Sequence, residues 1–372
     1  MDKLQTAISF FMNNTELKSA AKTLEELQRL QTDATAQLRA HYEQVLRSVS
    51  SPVDPSQLRV EVSEGKSSRE VRLMASGQVL TPGSVLISAE QTLSELSKMI
   101  KRLDLNKESS YLSLYTTLRG EYMLATLTKL QPSKMLQMFA DSEATTSGYM
   151  RGTHPGIQLL SALLVLLLTE RALITRLLPA KHVTAQFRAV LEPSVQQLSE
   201  IGEGIIKLQR RNANRQYAVC VLLDLWAHVT ALTPQYSAAL VTFEDEEAPV
   251  KRGKAPAGAL LSPVITKFSD ALTENTREIL SEVKGQWSGG SSSALPLVSP
   301  EGLSRALAVT SWSVPSDGTV AQQTVMAVQF LSALFPYREI VVNLLPPLQP
   351  ISGKSPLAVY ISMYCFGNVF RS

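Results

Sequence analysis

The sequence predicts an all-α fold, and three observations carry the prediction. Apolar residues recur at every third or fourth position over most of the chain. Prolines and glycines gather in polar stretches between these periodic segments. No alternation of short apolar strands with helices is present, so no parallel sheet is expected. A regular solenoid is also disfavoured, because no clean repeat period appears.

The first periodic piece is a short helix over Lys3 to Met12, with Thr15 as a cap for the next. Leu17 to Val49 then reads as one long helix. Leu24, Leu27, Gln31, Ala34, Leu38, Tyr42 and Val45 form its stripe, with charge elsewhere. Ser50-Ser-Pro-Val-Asp-Pro55 ends it, because a residue before proline avoids the helical region. Residues 1–52 therefore read as a helical hairpin.

Residues 53–88 differ. Gly65, Gly77, Pro82 and Gly83 punctuate them, and the pairs Val60/Val62, Val71/Leu73 and Val79/Leu80 have no helical period. The reading is a linker with a weak hairpin. Helices resume over Thr92 to Leu105 and Ser109 to Leu130, and Gln131-Pro-Ser133 breaks the second. A short helix over Lys134 to Ala140 and a polar turn complete a helical segment at 89–148, which joins the rod.

A central helical bundle is expected over 149–345. Pro155 opens an apolar helix to Leu178, at a position where its missing N–H costs nothing, and Pro179 closes it. The run Ile157 to Leu168 stops at Thr169-Glu-Arg171, short of the roughly 20 apolar residues of a spanning helix, so it reads as a core helix. Helices continue over His182 to Arg211, with Pro193 either a kink or a new start, and over Asn214 to Leu232. Thr233-Pro234 caps a short segment to Phe243. Beyond the charged loop at 244–258, Leu260 to Val283 is a helix, and Gly289-Gly-Ser-Ser-Ser293 is a flexible loop. Ser313-Val-Pro-Ser-Asp-Gly-Thr-Val320 then leads into an amphipathic helix, with Asp317 or Thr319 available to cap it. Pro346-Pro347 stops that region, and 346–372 reads as the start of another bundle.

Composition bounds the function. With 372 residues the chain is long enough for two or three domains, and 44% hydrophobic residues suit a folded protein. A formal net charge of +3 is too small to argue for nucleic acid or for strong membrane attraction. Cys220 and Cys365 each sit in an apolar run as buried, reduced thiols, which favours a cytosolic compartment. The N-terminus lacks the basic and apolar regions of a signal peptide.

Chemistry-bearing motifs are absent. His41, His154, His182 and His228 are scattered, with no metal-ligand spacing, and fit surface or satisfied core positions. No nucleophile elbow, phosphate loop or dinucleotide fingerprint occurs; Gly202-Glu-Gly204 lies inside a helical pattern. No catalytic residue, cofactor or metal is therefore expected. Glu244-Asp-Glu-Glu247 reads as a solvated loop. Lys207, Arg210, Arg211 and Arg215 form a basic cluster at a helix end. It suits an anionic lipid or acidic partner, but cations there also complement the helix dipole.

Several segments, taken in order, resemble one family. Pro315-Ser-Asp-Gly-Thr-Val320, followed by a polar pair, Thr324 and an apolar helix with Phe330-Leu331, resembles the seventy-kilodalton exocyst subunit, exocyst component seven. Ala7 to Asn14 resembles that family's short apolar-aromatic helix. Tyr115-Thr-Thr-Leu-Arg119 and the residues to Leu130 resemble its Tyr-x-x-Ile-Arg segment, with Leu118 in place of Ile and Thr126 in place of Ser. Ala162 to Leu178, with Glu170, resembles the first helix of its large domain, and Ala358 to Asn368 a later helix. Tyr115, Arg119, Pro315, Asp317, Gly318, Thr319 and Val320 are the residues on which the match rests. Ala321 stands where the family has His.

The resemblance implies an elongated rod of stacked antiparallel helical bundles. It also implies a non-catalytic scaffold that tethers secretory vesicles to the plasma membrane before fusion. The expected partners are other exocyst subunits, bound through coiled-coil-like N-terminal helices, Rho-type GTPases, and membranes containing phosphatidylinositol bisphosphate. The expected location is cytoplasmic, peripheral at the plasma membrane. The resemblance stops at Ser372 within a helix, ahead of the family's basic phosphoinositide-binding surface, and its first coiled-coil helix is missing. A subunit truncated at both ends, with weak membrane binding, is the expectation. Two other classes stay open at this point: a generic helical adaptor or subunit of another tethering complex, and an enzyme with an unfamiliar helical active site.

Overall fold

A computed structural model of the chain describes residues 2–14, 16, 20–64, 69–81, 83–87, 89–130, 149–212, 215–241, 266–267, 269–279, 332–338 and 340–341. The helices are α1 (Asp2–Asn13), α2 (Ala20–Ser48), α3 (Glu90–Leu105), α4 (Ser110–Thr128), α5 (Pro155–Leu177), α6 (Ala180–Arg211) and α7 (Arg215–Val241). Residues 269–279 are helical, and Phe335–Tyr337 form a 3₁₀ turn. The three strands are β1 (Leu58–Glu64), β2 (Arg69–Ala75) and β3 (Gln78–Val79).

Short connections make successive helices antiparallel neighbours. α1 packs along α2; α2 packs on α3 and α4; α4 packs on α5 and α6; α5, α6 and α7 pack together. Each layer thus rests on the next, which yields an elongated stack of antiparallel bundles. α5 is its centre, touching α3, α4, α6, α7 and the sheet. That position explains its composition: nearly every residue from Gly156 to Leu167 is buried, so no polar face is needed. α5, and residues Tyr217–Ala239 of α7, are long and apolar enough to cross a membrane by length and composition alone. Here most of each faces other helices, the setting of core helices.

The segment at 53–88, expected as a linker with a weak hairpin, instead forms a three-stranded antiparallel sheet of order β1-β2-β3. Leu58 pairs with Ala75 and Glu64 with Arg69, a full register over seven residues of each strand. Gly77, at φ +79°, takes the left-handed turn that starts the return into β3. The sheet is fixed to the helical body by α5: Gln158 Nε2 donates to the carbonyls of Pro55 (2.7 Å) and Leu58 (2.9 Å). The two short strand pairs gain their stability from that cover, a tertiary effect invisible to local pattern.

Pro193, expected as either a kink or a new start, and Pro234, expected to open a short new segment, both lie inside helices. α6 continues through Pro193, and α7 runs unbroken through Thr233-Pro234 to Val241. Each proline leaves one carbonyl without an intrahelical donor, but packing of the helix on both sides of it offsets the loss. One turn before Pro193, α6 packs on Gly120 of α4, where a Cβ would make an ordinary contact of 3.6 Å with the Val190 carbonyl oxygen.

Candidate functional site

The match residues Tyr115 and Arg119 lie one helical turn apart on α4, on the same face as Tyr122. Across from them α5 presents Glu170. Arg119 grips this carboxylate with two donors, Nη2 at 2.6 Å and Nε at 2.9 Å from Oε2. The Tyr115 hydroxyl donates to Oε1 at 2.7 Å. The Arg119 guanidinium also stacks on the Tyr122 ring, 4.1 Å from its centroid. Its Nη1 reaches the end of α2, donating to Ser50 Oγ at 3.3 Å. The ion pair is closed to water, with Arg119 3% and Glu170 1% exposed.

Electrostatics follow from this enclosure. Burial works against the Arg119 charge, but Glu170 outweighs it and holds the guanidinium pKa above its ordinary value. Burial, with the Glu170 charge beside it, pushes the Tyr115 hydroxyl up. Burial also raises Tyr42 of α2, whose ring meets Tyr111 edge-on at 6.4 Å. Arg119, Glu170 and Tyr115 bond to one another across the helices, whereas the buried Tyr42 hydroxyl has no hydrogen-bond partner among the described residues. The cluster fastens α2, α4 and α5 together and thereby sets how the N-terminal hairpin leaves the body.

A second buried carboxylate, Asp224 of α7, organises the start of α5. It accepts from the Tyr149 hydroxyl at 2.5 Å and the Gly152 N–H at 2.7 Å. Arg151 and His228 stand near its other oxygen, at 3.9 Å and 3.5 Å. Burial opposes the carboxylate, but His228, Tyr149 and Gly152 prevail and hold its pKa below the ordinary value. The turn at 149–153 is thus pinned on α7, and Tyr337 packs beside it under Arg151. His154 then caps α5, its Nδ1 accepting from the Gly156 N–H at 3.0 Å. Burial pulls the His154 pKa down to about 4. Neither Asp224, His154 nor Glu170 was singled out as a site from sequence. The available signal was a lone acid within an apolar helix, at Thr169-Glu170 and at Leu223-Asp224-Leu225.

The basic cluster is partly consumed by structure. Lys207 lies 3.7 Å from Glu203 on its own helix. Arg210 donates through Nε to Asn275 and stands 3.8 Å from Glu278, so it docks the 269–279 helix on α6. Arg211 is exposed at the end of α6, and Arg215 begins α7. Pro315, Asp317, Gly318, Thr319 and Val320 lie outside the described residues, as does all of 346–372. Among the described residues no group of three or more His, Cys, Asp and Glu side chains is placed to hold a metal.

The N-terminal hairpin carries three of the exposed large apolar side chains; the others described are Val79, Leu105, Met150 and Phe335. α1 turns Ile8 inward and leaves Phe10 and Met12 54% and 58% exposed; Leu30 of α2 is 56% exposed. The core of the body takes Leu38, Tyr42, Val45 and Leu46 from the C-terminal half of α2, and Val49 just beyond its end. Leu24 and Leu27, in the other half, are only partly covered. A paired helix surface carrying exposed large apolar side chains is the candidate interface of this chain.

The fold is a helical stack whose buried ionic clusters join helices, with exposed large apolar side chains at Phe10, Met12 and Leu30 on the hairpin and at Val79, Leu105, Met150 and Phe335 elsewhere. Residues 153–363 match the C-terminal family model of the Exo70 exocyst complex subunit, more than half of the chain. The chain belongs to that family. It is similar to exocyst complex component 7 of Dictyostelium discoideum, with 22% identity over 287 residues. That match covers 76% of this chain and 32% of the relative, so the chain spans about a third of the relative's length. The crystal structure of the Saccharomyces cerevisiae exocyst component Exo70p shares its fold, with a TM-score of 0.54 at 12% identity. There the likeness covers 98% of this chain and 61% of the yeast one. The family match begins within the turn that Asp224 pins. The Arg119–Glu170 pair therefore bridges from outside the matched span into it.

Proposed function

We propose that this chain is the scaffold part of an exocyst subunit that tethers secretory vesicles to the plasma membrane before fusion. The observation that carries the reading is the pairing of the family match over 153–363 with a projecting hairpin of exposed apolar side chains. The work is mechanical: the stacked helices hold a defined shape, and α1 and α2 offer a surface on which helices of other exocyst subunits pack. No bond is made or broken. The chain acts in the cytoplasm, peripherally at the plasma membrane, as part of that assembly.

The finer partners belong to the same proposal. Rho-type GTPases and membranes containing phosphatidylinositol bisphosphate are implied by the family resemblance. Lys207 and Arg211 are the described members of the basic cluster left on the surface for such contacts, because Arg210 is spent on the 269–279 helix. The test is affinity capture of the tagged chain from cells. Recovery of the other exocyst subunits supports the proposal; their absence alongside an intact, folded bait refutes it.

A further inference from the structure

Between α5, α6, α7 and the 269–279 helix lies a cavity of about 160 Å³. Its walls are mostly apolar: Leu160 from α5, Leu198 and Ile206 from α6, and Val229, Leu232 and the Tyr236 ring from α7, with Ser199 of α6 the uncharged polar residue among them. The Tyr236 hydroxyl is turned away into a hydrogen bond with the Leu160 carbonyl at 2.6 Å, so it offers no polar atom to the interior. At the open side stand two exposed charged residues, Glu203 and Lys267. Glu203 already faces Lys207 at 3.7 Å. Lys267 makes no ion pair with another described residue.

These features define a ligand. Apolar cavities of about 150 Å³ stay dry and take up a benzene-sized molecule. A methylene chain of about six carbons has a similar bulk, and its burial is favourable at every carbon. A charged head cannot enter, but at the mouth it meets the Lys267 ammonium, which has no ion pair among the described residues. We infer that this cavity binds a single-chain amphiphile with a medium-length alkyl tail and an anionic head, the tail between the helices and the head at Lys267. Bound there, the ligand fills the space shared by four helices and stiffens the bundle. The site is independent of the hairpin interface, so it stands or falls separately from the tethering role.

The probes are octanoate, octanol and octylammonium, which share a tail and differ in head charge. Binding to the full chain is followed by calorimetry and by the rise in thermal midpoint. Octanoate is expected to bind best, by about fivefold over octylammonium, the scale of one exposed charge contact. Ala271→Leu, which puts a larger side chain into the lining, is expected to weaken all three by about tenfold or more. Ser199→Leu at the same lining serves as a second blocking variant if the first fails to fold. Lys267→Glu is expected to reverse the head preference while leaving octanol unchanged. Three results overturn the inference: no binding of any probe to the folded chain at about millimolar concentration, binding untouched by a folded blocking variant, or a preference for octylammonium in the unmodified chain.

Discussion

Arg119 and Glu170 are 51 residues apart in sequence and meet as a water-excluded, two-donor ion pair between α4 and α5. The pair holds more than two helices. Through Arg119 Nη1 it also reaches Ser50 at the end of α2, and through Glu170 it takes up the Tyr115 hydroxyl. One carboxylate thus sits where three layers of the stack converge.

Removing one partner leaves the other charged and buried. Arg119→Met and Glu170→Gln are each expected to cost about 3–5 kcal/mol in chemical denaturation. The double replacement Arg119→Met with Glu170→Met is expected to recover much of that loss, because no buried charge is then left unpaired. Single variants that lose less than about 1 kcal/mol would show that the pair is open to water.

Acid should loosen the start of α5 through His154. Its folded pKa, about 4, lies below the ordinary 6.5, so the folded state binds fewer protons. Stability from this group is then complete above pH 6.5 and falls as pH drops towards 4. The full effect is about 3 kcal/mol. His154→Asn keeps a capping side chain and removes the titration, so its thermal midpoint should vary less with pH across that window. An unchanged pH slope in the variant would assign the acid sensitivity elsewhere.

Asp224 acts in the same direction at lower pH. Its folded pKa is depressed below the ordinary 3.8, so its contribution is present above that value and lost as pH falls through the folded pKa. Asp224→Asn should lower stability near neutral pH and narrow its difference from the unmodified chain below pH 3.8. Thermal unfolding of both chains across pH checks this; a gap that widens on acidification contradicts it.

At Gly156, α5 lies tightly against its neighbours. A Cβ there would lie 3.0 Å from His154 Nδ1, 3.0 Å from Leu225 Cδ2 and 3.2 Å from Ile205 Cδ1. Gly156→Ala is therefore expected to cost about 1–2 kcal/mol, despite the better helix propensity of alanine. A neutral or stabilising result would mean that the leucine and isoleucine tips yield freely.

Much of this fold is legible in the sequence because its helices are long and well punctuated. Pro155 and Pro179 bracket α5 as expected, and the stripe on α2 from Leu24 to Val45 falls on its covered side. What was not legible depended on partners distant in sequence. β1 is anchored at Leu58 by Gln158, about 100 residues away, so the pairs Val60/Val62 and Val71/Leu73 looked like no more than a weak hairpin in a linker. Pro234 suggested a boundary, and Pro193 a kink or a new start, because the neighbours that carry the helix past each proline cannot be read locally. Tyr115, Arg119 and Glu170 were all visible as parts of matching segments, but only the fold shows that they touch.

The central claim is that the exposed face of the α1–α2 hairpin carries the docking of other exocyst subunits. The direct measurement compares capture of those subunits by the unmodified chain and by a chain carrying Phe10→Ser, Met12→Ser and Leu30→Ser. These side chains are more than half exposed, so each change should alter stability by no more than about 0.5 kcal/mol. The predicted result is capture by the unmodified chain and its loss from the folded triple variant. Equal capture by both chains would contradict the claim and move the interface off the hairpin.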